Sequence, residues 1–145
     1  MRGAVAEILR SGVASADVRD TLSIAEKFAG ELSDGAFIAL YGDLGAGKTA
    51  FVKGLAAGLG IAETVKSPSF NICAYYAAEP LSLVHVDAYR LGGAPDFENL
   101  MIDEFAPGPK VVCVEWPQAV EEAIPSDALR IRIECAGNGR VIRMD

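Results

Sequence analysis

Histidine is nearly missing from this chain: His85 is the only one, which excludes a multi-histidine metal centre. The three cysteines, Cys73, Cys113 and Cys135, lie far apart inside apolar segments. An odd number without metal-ligand spacing argues against a disulfide framework and suggests reduced, buried thiols in a cytoplasmic protein. No apolar run approaches the ~20 residues of a membrane-spanning helix, and the N-terminus lacks the long apolar core of a signal peptide. Positive charge is also in short supply, with 13 Lys and Arg against 20 Asp and Glu, a net charge of −7 and a pI near 4.7. No basic cluster occurs, so the chain is not expected to grip DNA or RNA by itself. If RNA is involved, another subunit holds it. Nor does any N-K-x-D stretch occur, which counts against guanine recognition.

What remains is a globular composition, 51% apolar and 23% charged over 145 residues. That is enough for one domain, residues 1–145, with a core that needs no staples. Within it, Gly42-Asp43-Leu44-Gly45-Ala46-Gly47-Lys48-Thr49 fits the phosphate-binding pattern G-x-x-x-x-G-K-[ST]. The context fits as well. Residues 37–41 form a short apolar run that reads as a buried parallel strand. After the loop, Phe51, Val52, Leu55, Ala56 and Leu59 recur at helical spacing until Gly60. In such a loop, glycines bring bare backbone N–H groups against phosphate oxygens where a Cβ would collide. The helix N-terminus adds unpaired donors and its dipole. Lys48 can reach the β- and γ-phosphates, and Thr49 offers a hydroxyl to Mg²⁺. The chain therefore reads as a binder of a nucleoside triphosphate.

Elsewhere, residues 4–10 are expected as an edge strand, and Asp20 or Thr21 as the cap of a helix carrying Leu22, Ala25, Ala29 and Leu32 on one face. Ser67-Pro68-Ser69 is an ordered turn entering a strand over 70–76. Residues 81–87 and 110–115 read as strands, with a helix over 96–105 between them. Pro117 begins a further helix reaching about Ala123. Residues 129–134 and 140–144 form a hairpin around Gly137-Asn138-Gly139. The early strand-loop-helix unit implies a parallel core, and the later short connections an antiparallel addition. The fold class is α/β: a phosphate-loop NTPase-like domain with a mixed, mainly parallel sheet, flanking helices and a C-terminal antiparallel hairpin.

Strands 81–87 and 110–115 each end in an acid, Asp87 and Glu115. Loops of this type need such a group near Thr49, to hold the metal through water or to orient the attacking water. A solvated strand end is the plain alternative for both. His85, two residues before Asp87, either orients Asp87 or packs in the core. Arg90 could meet phosphate or a neighbouring acid, and Ser67 and Ser69 could sense the γ-phosphate as a switch.

The series GDLGAGKT, V-K-S-P-S-F, H-V-D-A-Y-R-L and V-E-W-P, over residues 21–140, resembles the bacterial TsaE family, also called YjeE. The resemblance implies a small magnesium-dependent ATPase of the cytoplasm that helps to make threonylcarbamoyladenosine in tRNA. It further implies slow hydrolysis unless assembled with TsaD and TsaB, which hydrolysis resets between turnovers, and contact with tRNA only through that complex. By matching motif, residues 42–50, including Ala50, bind the nucleotide, with Arg140 nearby. Lys48 acts on phosphate, Thr49 and Glu115 serve the metal, and Asp87 is the other acid required for hydrolysis. Trp116 lies beside the site and, with Ser67, Ser69, Tyr89 and Arg90, is a candidate for a switch or partner face. Where the family has Ser-Pro-Thr this chain has Ser67-Pro68-Ser69, which keeps the hydroxyl and loses the methyl. A small-molecule kinase, which would want a lid with arginines that segment 91–95 lacks, and a nucleotide-gated binding module are the competing readings.

Overall fold

The computed structural model describes every residue except Leu44 and Ser69. Along the chain run helix α1 (Ala4–Ser11), strand β1 (Val13–Ser15), helix α2 (Val18–Ala29), strand β2 (Phe37–Tyr41) and helix α3 (Lys48–Gly58). Strands β3 (Cys73–Tyr76) and β4 (Ser82–Asp87) follow, then short helices α4 (Ala94–Glu98) and α5 (Ile102–Phe105) and strand β5 (Lys110–Glu115). A 3₁₀ segment (Pro117–Ala123) leads to strands β6 (Leu129–Ala136) and β7 (Gly139–Met144). The strands make one sheet in the order β1-β7-β6-β2-β5-β4-β3. Its middle, β6-β2-β5-β4, is parallel; β3 pairs antiparallel with β4, and β7 with both β6 and β1. This is the expected α/β architecture, parallel in the core and finished by a C-terminal hairpin.

Strands β2, β4 and β5 are apolar almost throughout because both faces are covered, whereas β6 alternates, with Ile131 and Ile133 buried and Arg132 and Glu134 exposed. Alternate residues serve opposite faces. Ile38, Leu40, Leu83, Val111 and Ile131 pack with Phe28, Phe51 and Leu55 of α2 and α3. Ala39, Val84, Val86, Val112 and Val114 pack with Val120 and Ile124 on the other side. Helices α2 and α3 touch closely at Gly54, where an added Cβ would lie 2.5 Å from the Leu22 carbonyl oxygen and 2.6 Å from Ala25 Cβ. That contact pins the phosphate-loop helix against α2.

Four local expectations are corrected. Residues 4–10 are helix α1, and the edge strand is β1 just beyond Gly12. Ala6 and Leu9, three apart, are buried while Ile8 is exposed, which is helical spacing. The helix N-terminus is capped from afar: Val5 and Ala6 donate their backbone N–H groups to Glu31 at 2.7 and 3.0 Å. Helix α2 is capped by Asp17, which accepts from Asp20 N at 3.1 Å, and not by Asp20 or Thr21; the Thr21 hydroxyl bonds Ser15 Oγ instead. The helix expected over 96–105 is two short pieces, because Met101 takes a left-handed conformation with φ 51°. The segment after Trp116 is 3₁₀, broken where Val120 departs to φ −133°.

Candidate functional site

Strand β2 ends at the centre of the parallel block and delivers the glycine-rich loop there. Gly45 and Gly47 have φ of +83° and +104°, a region closed to most side chains, and a Cβ on either would meet nothing within 4 Å. Backbone geometry therefore demands these glycines, and open space lies before them. Ala46 N bonds Asp43 O at 3.0 Å and closes the turn, and α3 starts at Lys48 with Gly47 as its cap. Ala46 is buried, Asp43 and Gly45 are exposed, and Thr49 and Ala50 are partly covered at the start of α3. Leu44 lies outside the described residues.

Lys48 folds back over this loop. Its Nζ donates to the Gly42 carbonyl at 2.6 Å and stands 3.6 Å from the centroid of the Trp116 ring. Burial lowers the Lys48 pKa from its ordinary value, and the charges of Glu115, Asp87 and Asp43 partly offset that. All three acids thus lie close enough for their charge to act on one amine. Trp116 is set by a left-handed backbone, φ 56°, and by Tyr89, whose ring meets it edge-on at 5.2 Å.

Asp87 and Glu115 stand in register on β4 and β5, with Leu40 of β2 next in line. Both lie at the C-terminal edge of the parallel strands, where open α/β sheets bind ligands. Glu115 is only 4% exposed and Oε2 lies 2.5 Å from His85 Nε2; His85 is wholly buried. Asp87 is partly exposed and accepts from Tyr89 N at 3.0 Å. Its own backbone N–H donates to Ile72 O, and Ile72 N to Pro68 O, so the turn holding Ser67 is tied to the end of β4. Ser67 is exposed on that turn, and Ser69 lies outside the described residues.

Arg140, near the start of β7, grips the loop from the other side. Nε donates to Ala46 O at 3.0 Å and Nη2 to Gly45 O at 3.1 Å, while Nη1 bonds Gly139 O at 2.9 Å. A cleft of about 300 Å³ opens there, lined by Asp17, Thr21, Gly45, Ala50, Asn138 and Arg140 among others. The exposed side chain of Arg90 places its guanidinium 5.6 Å from the Phe70 ring. The structure therefore gathers Lys48, Asp87, Glu115, Tyr89, Trp116 and Arg140 around the loop. Sequence reasoning did not foresee that His85 bonds Glu115 and not Asp87. The partnership crosses strands, with His85 opposite Cys113 and Asp87 opposite Glu115, and is visible only once β4 and β5 are known to be neighbours. Among the described residues no group of three or more His, Cys, Asp or Glu could hold a metal alone.

Comparison with known proteins identifies the family. The family described as "Threonylcarbamoyl adenosine biosynthesis protein TsaE" matches residues 15–142. The tRNA threonylcarbamoyladenosine biosynthesis protein TsaE of Bacillus subtilis is 43% identical over 119 residues, 82% of this chain and 74% of that protein. The protein of the same name from Treponema pallidum is 40% identical over 108 residues, 74% of this chain and 79% of the other. The crystal structure of Bacillus subtilis YdiB superimposes with a TM-score of 0.77 at 37% identity, covering 92% of this chain and 82% of that one. With its phosphate-loop fold and these relatives, this chain belongs to the TsaE family.

Proposed function

We propose that the chain binds MgATP at the loop and hydrolyses it as a subunit of the assembly that makes threonylcarbamoyladenosine in tRNA. The observation that carries this reading is the convergence of Lys48, Glu115 and Asp87 on a glycine-rich loop at the C-terminal edge of the sheet. Backbone N–H groups of Gly45 and of residues 47–49 take the phosphate oxygens, while that of Ala46 stays with Asp43 O. Lys48 leaves Gly42 O and the Trp116 face to meet the terminal phosphates, whose negative charge offsets the burial that lowers its pKa. The donors available to a metal, the Thr49 hydroxyl and the Glu115 carboxylate, are hard oxygens. With so few protein ligands the remaining positions fall to phosphate and water, which suits Mg²⁺ better than a metal wanting an all-protein cage. Bound there, the ion would neutralise charge on the phosphates. Glu115 serves the metal side and Asp87 orients the attacking water. Arg140 fixes the carbonyl side of the loop, so the donor N–H groups stay pointed at the ligand.

The partners proposed are TsaD-like and TsaB-like proteins, acting in the cytoplasm, with hydrolysis resetting their complex. The net charge of −7 supports an arrangement in which they, and not this chain, hold the RNA. Phosphate release from ATP and GTP, measured for the chain alone and after adding TsaD and TsaB homologues, tests the proposal. Strong stimulation limited to ATP is expected; equal release from both nucleotides, unmoved by the partners, contradicts it.

A further inference from the structure

We infer that His85 is a positioning residue, whose work is to hold the Glu115 carboxylate in place at the mouth of the loop. The inference rests on Glu115 serving the nucleotide site. His85 Nε2 lies 2.5 Å from Glu115 Oε2, and the two residues are 0% and 4% exposed. A carboxylate so buried needs a donor, because losing water without a replacement is costly. Accepting this bond, Glu115 keeps the ring hydrogen on Nε2, and the bond uses one oxygen while leaving Oε1 for another partner.

The other end of the ring separates a positioning role from plain packing. His85 Nδ1 is buried with no hydrogen-bond partner among the described residues. Buried polar atoms are normally satisfied, and a leucine of similar size would fill the space without that penalty. The imidazole is retained at a cost, and its one polar bond goes to Glu115. The flanking residues Val84 and Val86 are buried on the opposite face, so the ring sits in a rigid strand interior. On the adjacent strand Cys113 stands directly opposite His85, and Glu115 lies two residues further along, opposite Asp87. Such a support fixes where Glu115 points before any ligand arrives.

The test uses the full chain and three substitutions. His85→Gln can place an amide N–H near the Nε2 position, His85→Asn reaches only the Nδ1 position, and His85→Leu removes the donor. Thermal unfolding identifies variants that stay folded. Binding of ATP is measured with and without Mg²⁺, as is the Mg²⁺ concentration for half-maximal hydrolysis. His85→Leu and His85→Asn should need about ten-fold more Mg²⁺, with metal-free ATP binding nearly unchanged, and His85→Gln should recover most of the difference. In a Glu115→Ala background, His85→Leu should add no further loss. A His85→Leu variant with the parent's Mg²⁺ dependence overturns the inference, as do equal losses in both backgrounds. Should the parent neither bind nor hydrolyse ATP, the nucleotide reading fails, and the crystal structure of His85→Leu still decides this point. A displaced Glu115 carboxylate supports it; an unmoved one refutes it.

Discussion

The ends of β4 and β5 carry the same sequence form, an apolar run closed by one acid, and they stand side by side in register. Their surroundings differ sharply. Glu115 is buried and held by the one histidine of the chain, inside the sheet. Asp87 is partly exposed, and its end of the strand is tied through Ile72 to the turn of Pro68 and Ser67. One acid is fixed by the core and the other belongs to a surface segment that a bound phosphate or partner could reshape. A shared place at a strand end does not make equal roles, because what lies two residues back on the neighbouring strand decides how tightly a side chain is held.

Breaking the two acids in turn gives the largest expected effects. Asp87→Ala and Glu115→Ala should each lower partner-stimulated phosphate release by about 10²–10³-fold, the scale of losing one group that acts in the transition state. Stability should separate them. Glu115→Ala leaves His85 buried with no partner at either nitrogen and should cost about 1–3 kcal/mol in urea unfolding. Asp87→Ala should cost less than about 1 kcal/mol, as a partly exposed position does. Equal stability losses would erase the distinction between the two strand ends.

The loop offers a second contrast, between its Lys48 side and its Arg140 side. Lys48→Ala should weaken ATP binding about a hundred-fold, since a charge-assisted contact in a desolvated site is lost. Arg140→Ala removes two bonds to loop carbonyls and should weaken it only about five- to ten-fold, through a looser cradle. Trp116 is the only tryptophan, so its fluorescence should change when ATP draws Lys48 off the ring, and the change should vanish in Lys48→Ala. The smallest effect concerns thiols. Cys135 is exposed, against the expectation that all three thiols are buried, whereas burial raises the Cys73 thiol to about 11 and holds Cys113 well above its ordinary value, with the Glu115 charge adding to it. One fast-reacting thiol is expected under a disulfide reagent at neutral pH, and Glu115→Gln should leave Cys113 slow because burial dominates.

Much of this was legible before any coordinates. The loop, its strand and its helix are contiguous, so spacing alone places them, and residues 110–115 form β5 with no shift at either end. What escaped was set by contacts far along the chain. Helix α1 owes its capped N-terminus to Glu31, some 25 residues away, while its short apolar run reads equally well as a strand. The broken helix around Met101 depends on a left-handed residue that no local pattern announces. Within the site the identities of Asp87 and Glu115 could be read from strand ends, but the partner of His85 and the grip of Arg140 on the loop needed the sheet order. Sequence spacing names the groups, and tertiary pairing decides which of them hold still.

Calorimetric titration of ATP into the purified chain, with and without Mg²⁺ and alongside Lys48→Ala, addresses the central claim most directly. The account predicts one ATP per chain, bound more tightly with Mg²⁺ and largely lost in the variant. No binding by the parent, or binding indifferent to both Mg²⁺ and Lys48, would contradict it.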